Sequence, residues 1–340
     1  MFYNEFKGCQ LSGLGMGTMR LPVINGEAAN VDIEQVEKLI DCALQNGINY
    51  FDTAWNYHDG KSEEVIGRIL RKYPRDSYYA ADKFPGFDPE LAKDVKGVFE
   101  KQLERTGFEY FDFYLLHSIT DDNLTTYLDK DLGIVDYLLE QKESGRIKHL
   151  GFSCHCEPET LEKLLDAYGS VLEFGQIQLN WLDYTVQKAG EKAEILKQYG
   201  IPVWVMEPLR GGKLADVPYS ESFRFLESLG VTMILSGMSA IEQILENTAT
   251  FAERNPLSEE EKNKLIDLGK ELSKGHNVPC TGCKYCVPYC PQGIDIPGII
   301  AQFNSVVKPD VPVDCIGCGQ CASVCPQQIK IPEIMEKMSK

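Results

Sequence analysis

Eight short apolar runs, each followed by a stretch of helical periodicity, constrain this chain more than any other feature. The runs are Leu11–Gly17, Ile48–Phe51, Ser77–Lys83, Tyr110–His117, Ile147–Ser153, Phe174–Asn180, Ile201–Met206 and Val231–Leu235. Strands buried on both faces read as continuous apolar runs, and strands alternating with helices pair in parallel beneath a helical layer. Eight such units close a barrel. The helical stretches carry their own punctuation. Asp32 with Gln35 marks an N-terminus, Val36, Leu39, Ile40 and Ala43 share one face, and Gly47 ends the helix. Ser62 reads as the cap of the next helix, and an initial hairpin precedes the first strand. The rival architecture is a doubly wound open sheet with a glycine fingerprint after its first strand. Gly13-Leu14-Gly15-Met16-Gly17 lacks the G-x-G-x-x-G spacing and opens no helix. The expected fold is therefore α/β, a (β/α)8 barrel of the TIM type over residues 1–255.

Ser258 and Glu261 then form a capping box for a linking helix within residues 256–277, and Lys274 to Asn277 break its pattern. From residue 278 to 340 the composition turns to cysteine, proline and glycine, and eight of the twelve cysteines fall between Cys280 and Cys325. Cys280, Cys283, Cys286 and Cys290-Pro291 spell C-x2-C-x2-C-x3-C-P, and Cys315, Cys318, Cys321 and Cys325-Pro326 repeat it. Three thiolates at that spacing wrap one iron–sulfur cubane, while the fourth, before proline, turns to the other. Tetrahedral zinc prefers two separated C-x2-C pairs, which this is not. The domain resembles bacterial two-cluster ferredoxins, which implies two [4Fe–4S] clusters. By that resemblance Cys280, Cys283, Cys286 and Cys325 hold one, and Cys315, Cys318, Cys321 and Cys290 the other. Apolar side chains alone would barely hold so short a domain.

The barrel strands end in reactive side chains. Asp52 follows the second run, Lys83 closes the third, His117 closes the fourth, and Tyr57 lies in the loop beyond Asp52. In a parallel barrel these ends share one rim, where a carboxylate, a phenol, an ammonium and an imidazole form a proton-delivery device. A cation beside a phenol favours the phenolate and sharpens it as an acid. With Ser62-Glu63, Gly67, Leu116-His117-Ser118, Gly151-Phe152-Ser153 and Met206-Glu207-Pro208-Leu209, this set resembles the tetrad and flanking motifs of the aldo-keto reductases, over roughly residues 6–255.

The resemblance implies an oxidoreductase using NADP(H) or NAD(H) on a small carbonyl or alcohol, and the whole chain is similar to members with a C-terminal ferredoxin domain. It assigns Tyr57 as proton donor, Lys83 as its tuner, Asp52 as the lysine's partner and His117 as the group that positions the carbonyl oxygen. Ser153 and Gln176 would bind the carboxamide, and Met206 stands where an aromatic stacks on nicotinamide. Leu209, Arg210, Gly211, Lys213 and Leu214 would line the pyrophosphate; Ser236, Gly237, Met238, Gln243, Glu246 and Asn247 would surround the adenosine. Gly237 and Gln243 replace the family's basic contacts to a 2′-phosphate. The clusters offer an electron relay to a redox partner protein. Two other readings stay open: an electron-transfer protein whose barrel is a scaffold, and a plain reductase whose clusters only hold the tail.

The net charge of −17 argues against nucleic acid and anionic membranes as partners. No apolar run approaches the roughly 20 residues of a membrane span, and Met1 to Phe6 lack a signal peptide's basic start, so a cytoplasmic protein is expected. Trp55 and Trp181 either line the substrate mouth or pack in the core; His58, His149 and His276 read as surface or loop residues.

Overall fold

The computed structural model describes residues 1–214, 217–272, 278–304 and 314–338. A hairpin of β1 (Tyr3–Phe6) and β2 (Cys9–Ser12) leads into β3 (Leu14–Gly17), the first barrel strand. The others are β4 (Tyr50–Asp52), β5 (Tyr79–Phe84), β6 (Phe111–Ile119), β7 (Ile147–Cys154), β8 (Gly175–Gln178), β9 (Val203–Met206) and β10 (Met233–Gly237). All eight pair in parallel in chain order, and β10 returns to β3, with Ser236 opposite Met16. The hairpin plugs the N-terminal end of the barrel, where Phe6 and Leu11 bury against Tyr50, Phe113, Phe174 and Trp204. His149 belongs to this plug rather than to the surface. Its ring packs 5.1 Å from that of Phe6 and 5.0 Å from that of Phe113, and its Nδ1 lies 3.5 Å from Glu173.

The helical layer buries the faces its periodicity announces. In the helix Ile33–Gln45, Val36, Leu39, Ile40 and Ala43 are buried, and Asp32 accepts from the Gln35 amide at 3.0 Å. Ser62 does another job than capping: its hydroxyl meets those of Thr18 and Thr53, each at 2.9 Å, and stitches together the chain leaving β3 and β4. Gly67, on the helix Ser62–Leu70, packs against the backbone of Thr106, where an added Cβ would come within 2.0 Å of the carbonyl oxygen. Backbone cannot yield as a flexible side chain does, so Gly67→Ala should destabilise the barrel by about 1–3 kcal/mol. Comparing denaturation midpoints of the two proteins checks this.

The helix Glu259–Leu272 opens with the expected capping box, the Ser258 amide donating to Glu261 at 2.8 Å. The pattern break at 274–277, with His276, lies outside the described residues. The last segment folds its helices Ile296–Asn304, Gln320–Ser323 and Ile331–Met338 around a small core. Ile296, Ile300, Ile331 and Met335 share it with Cys286, Cys321 and Cys325. Its two cysteine motifs repeat each other in backbone: Gly282 and Gly317 both take positive φ (70° and 68°), as do Lys284 and Gly319 (65° and 77°). Among the described residues, no helix is long and apolar enough to cross a membrane.

This segment sits on the C-terminal rim of the barrel. Arg20 donates to the Thr281 carbonyl at 3.3 Å, and Lys213 to that of Cys280. Gln327 and Gln178 exchange side-chain hydrogen bonds of 2.6 and 3.1 Å, and Gln328 donates to Asp121 at 2.8 Å and to the His155 carbonyl at 2.7 Å.

Candidate active site

Three strand ends and one loop assemble the site. Asp52 is the last residue of β4, and the chain then turns so that Tyr57 is buried at the rim. Lys83, fully buried near the end of β5, donates to Asp52 Oδ1 at 2.5 Å and to the Thr53 carbonyl at 2.6 Å. β6 runs past His117 to Ile119 through a register shift, with Ser118 at φ 54°. A bulge of this kind re-aims a side chain, and it holds the His117 ring edge-on to Tyr57, centroids 6.1 Å apart. The Ser118 amide donates to Ser153 Oγ at 2.8 Å, tying β6 to β7 at the same level.

The electrostatics follow from burial. Burial pushes the Asp52 carboxyl up, and the charge and hydrogen bond of Lys83 only partly offset it. Burial, then Lys83, holds His117 well below the ordinary imidazole value, so the ring is neutral at physiological pH and offers one N–H. Tyr57 is pushed well above a free phenol, first by burial and then by Tyr285 and Asp52. The expected acidification of Tyr57 by Lys83 is therefore not what this geometry delivers. Two ammonium donors are committed to Asp52 and Thr53, and Nζ lies 5.1 Å from the centroid of the Tyr57 ring. The phenol here is a protonated group with a cation close behind it.

A cavity of about 540 Å³ opens from this point. Asp52, Tyr57 and His117 line it, and so do Ser236, Gly237, Gln243, Glu246 and Asn247. Ser153, Gln176, Met206, Leu209, Gly211 and Leu214 complete its wall. Gln176 Oε1 is buried without a hydrogen-bond partner, which suits the amide of a carboxamide. Three residues named from sequence face elsewhere. Arg210 turns inward to Asp183 at 3.3 Å, Lys213 is spent on Cys280, and Met238 packs in the core. Each finds a buried or capping partner nearer than the cavity. Trp181 is core, donating to Ser222 at 3.2 Å, and the Arg105 guanidinium lies 3.9 Å from the centroid of the Trp55 ring; neither lines the cavity.

Arg20 was invisible in sequence. It lines the cavity beside Gly211, paired with Glu207 at 3.3 Å, and is the only lysine or arginine among the described lining residues. The lining also includes Thr281, Cys283, Tyr285, Pro326 and Gln327 from the cysteine-rich segment. That segment encloses two hollows. Cys280, Cys283, Cys286 and Cys325 line one; Cys290, Cys315, Cys318 and Cys321 line the other. In each, a glycine amide points at the first thiol, Gly282 to Cys280 and Gly317 to Cys315, both at 3.4 Å. Among the described residues, no three such ligands converge as a single ion requires; thiols ringing a hollow suit a cubane.

Comparisons with known proteins agree with this architecture. Residues 13–223 match the model of the aldo/keto reductase family, and residues 279–329 match that of the 4Fe-4S dicluster domain. An aldo-keto reductase of Gibberella moniliformis is 28% identical over 224 residues, 63% of this chain and 64% of that protein, so the chain spans just under two thirds of that relative. An uncharacterized oxidoreductase of Bacillus subtilis, YqkF, is 25% identical over 309 residues, 78% of this chain and 95% of that protein. The solved aldo-keto reductase of Klebsiella pneumoniae, in complex with NADPH, shares the fold with a TM-score of 0.60 at 20% identity, covering 77% of this chain and 92% of that one. The chain thus belongs to the aldo/keto reductase family and carries a 4Fe-4S dicluster domain at its C-terminal end.

Proposed function

We propose that the protein reduces a small carbonyl compound, or oxidises the matching alcohol, at Asp52, Tyr57, Lys83 and His117. In this reading residues 1–255 form the reductase barrel, 256–277 the link, and 278–340 a domain holding two [4Fe–4S] clusters, one on each of the two four-cysteine sets. The observation that carries it is a buried, protonated phenol and a neutral imidazole facing one cavity, with a lysine–aspartate pair directly behind them.

A nicotinamide nucleotide, of the kind the Klebsiella protein holds as NADPH, would supply a hydride to the carbonyl carbon when bound in the cavity. Gln176 and Ser153 would hold its carboxamide end. His117 donates its N–H to the carbonyl oxygen and sets its direction. Tyr57 gives its proton to that oxygen as charge develops. The Lys83 ammonium then faces the phenolate it leaves, while Asp52 keeps the lysine charged. A group that gains a counter-charge only as the reaction proceeds stabilises the transition state more than the ground state.

Cys283 lines the same cavity as Tyr57, so a cluster held by its motif would border the cavity in which reduction takes place. Hydride carries two electrons together and a cluster passes one, so relay between them requires a one-electron splitter such as a flavin. Anaerobic mixing with NADH or NADPH, followed by EPR, tests this: reduced clusters support relay, and silent ones support a structural role. The reductase reading itself is tested by nucleotide oxidation over a panel of aldehydes, and no turnover with any of them defeats it.

The adenosine end predicts the preferred nucleotide. Gln243 there accepts from the Ser239 amide at 2.8 Å, and among the described residues no lysine or arginine besides the paired Arg20 lines the cavity. A charge-assisted bond to a 2′-phosphate, about 1.5–3 kcal/mol, is thus missing. NADH is expected to give kcat/KM equal to or above that of NADPH. A tenfold preference for NADPH, about 1.4 kcal/mol, would contradict this.

A further inference from the structure

The two cysteine motifs are internal repeats, so each is a control for the other. Cys283-Lys284-Tyr285-Cys286 corresponds to Cys318-Gly319-Gln320-Cys321. The residue between the second and third cysteines that the second motif supplies as Gln320 is exposed there, so a cluster loop of this shape needs no aromatic at that place. In the first motif it is a tyrosine aimed into the barrel. The preceding Lys284 takes φ 65° where its counterpart is glycine, a conformation costly for a residue with a side chain.

There Tyr285 meets the reactive groups. Its phenol lies close to that of Tyr57. Its ring stacks on Phe87, centroids 6.5 Å apart at 28°, and stands edge-on to His117 at 6.4 Å. Phe87 also meets His117, centroids 5.4 Å apart, so the three rings form one cluster. Tyr285 lines the same cavity as Tyr57 and His117. From these contacts, and resting on the reductase reading above, we infer that Tyr285 is a substrate-facing residue. The cluster domain inserts it as the wall that limits the site to small, slender aldehydes. Because Cys283 and Cys286 flank it, the first cysteine set anchors the wall.

The test uses the full chain with its clusters, prepared anaerobically, and three probes of increasing girth: propanal, benzaldehyde and 2-naphthaldehyde. Binding to the nucleotide-loaded enzyme is followed by nucleotide fluorescence, and turnover is followed separately. Tyr285→Ala should tighten 2-naphthaldehyde relative to propanal by about tenfold or more, since pocket discrimination by apolar bulk runs at about 10–200-fold. Tyr285→Phe keeps the ring and should keep the wild-type ranking. Tyr285→Trp should weaken benzaldehyde relative to propanal by about tenfold, and it carries the test if the alanine variant loses iron. Unchanged rankings in the iron-replete variants overturn the inference even where the wild type turns over all three. If instead the rankings shift in binding while no variant reduces any aldehyde, the wall stands and the reductase reading falls.

Discussion

Tyr57→Phe is expected to lower carbonyl reduction by about 10²- to 10⁴-fold, the usual worth of a positioned general acid, while nucleotide affinity stays unchanged. The two readouts separate because the substitution removes only a hydroxyl and leaves every other lining side chain of the cavity in place. Packing should survive, since the phenol ring keeps its place against His117 and over the Lys83 ammonium. Iron content should also match the wild type. The burial that holds Tyr57 above a free phenol has a second consequence: the acid stays protonated across the neutral range. Reduction should therefore show no loss from this group as pH rises from neutral into the mildly alkaline range. A variant that keeps full reduction with unaltered pH dependence would remove Tyr57 from the reaction.

Lys83→Met should destabilise the barrel by about 3–5 kcal/mol, because it leaves a buried carboxylate without its cation. Among the described residues Asp52 Oδ2 has no hydrogen-bond partner and Lys83 alone bonds to Oδ1, so none of them takes the lysine's place. The pH dependence of that loss is fixed in sign. Burial already raises the Asp52 carboxyl with Lys83 pulling the other way, so removing the lysine raises it further. A carboxyl raised by folding binds protons more tightly in the native state, so its penalty is full above the folded value. It fades as pH falls through that value toward the unfolded one. The deficit of Lys83→Met against the wild type should therefore be largest at neutral and alkaline pH and shrink on acidification. Denaturant midpoints of both proteins at two pH values measure this, and a deficit that grows in acid would contradict the pairing.

The barrel was legible because a strand buried on both faces has no polar face to disguise it. β5, β7 and β10 lie within about a residue or two of their apolar runs, within the usual uncertainty of element ends. Asp52, Lys83 and His117 were legible for a related reason: parallel strands put all their C-terminal ends on one rim, so position in the run gives position in space. The cysteine sets were legible from spacing alone. Partner choice was not. Lys213 and Arg210 look like phosphate contacts in a list of residues, yet Cys280 and Asp183 claim them, and Arg20 takes their side of the cavity. His149, placed in a loop by its isolation in sequence, lies in the barrel plug because Phe6 returns from the hairpin to cover it.

Local chemistry, then, was enough to specify a closed parallel barrel, a rim bearing four reactive side chains, and a doubled cubane motif, since each depends on spacings within a short stretch of chain. How the two modules meet depended on tertiary structure. Tyr285 is more than two hundred residues from Tyr57 in sequence, and its hint was only that the sister loop carries Gln320 instead. Contacts between distant segments are decided by shape and by competition for partners, and neither leaves a periodic trace in either segment.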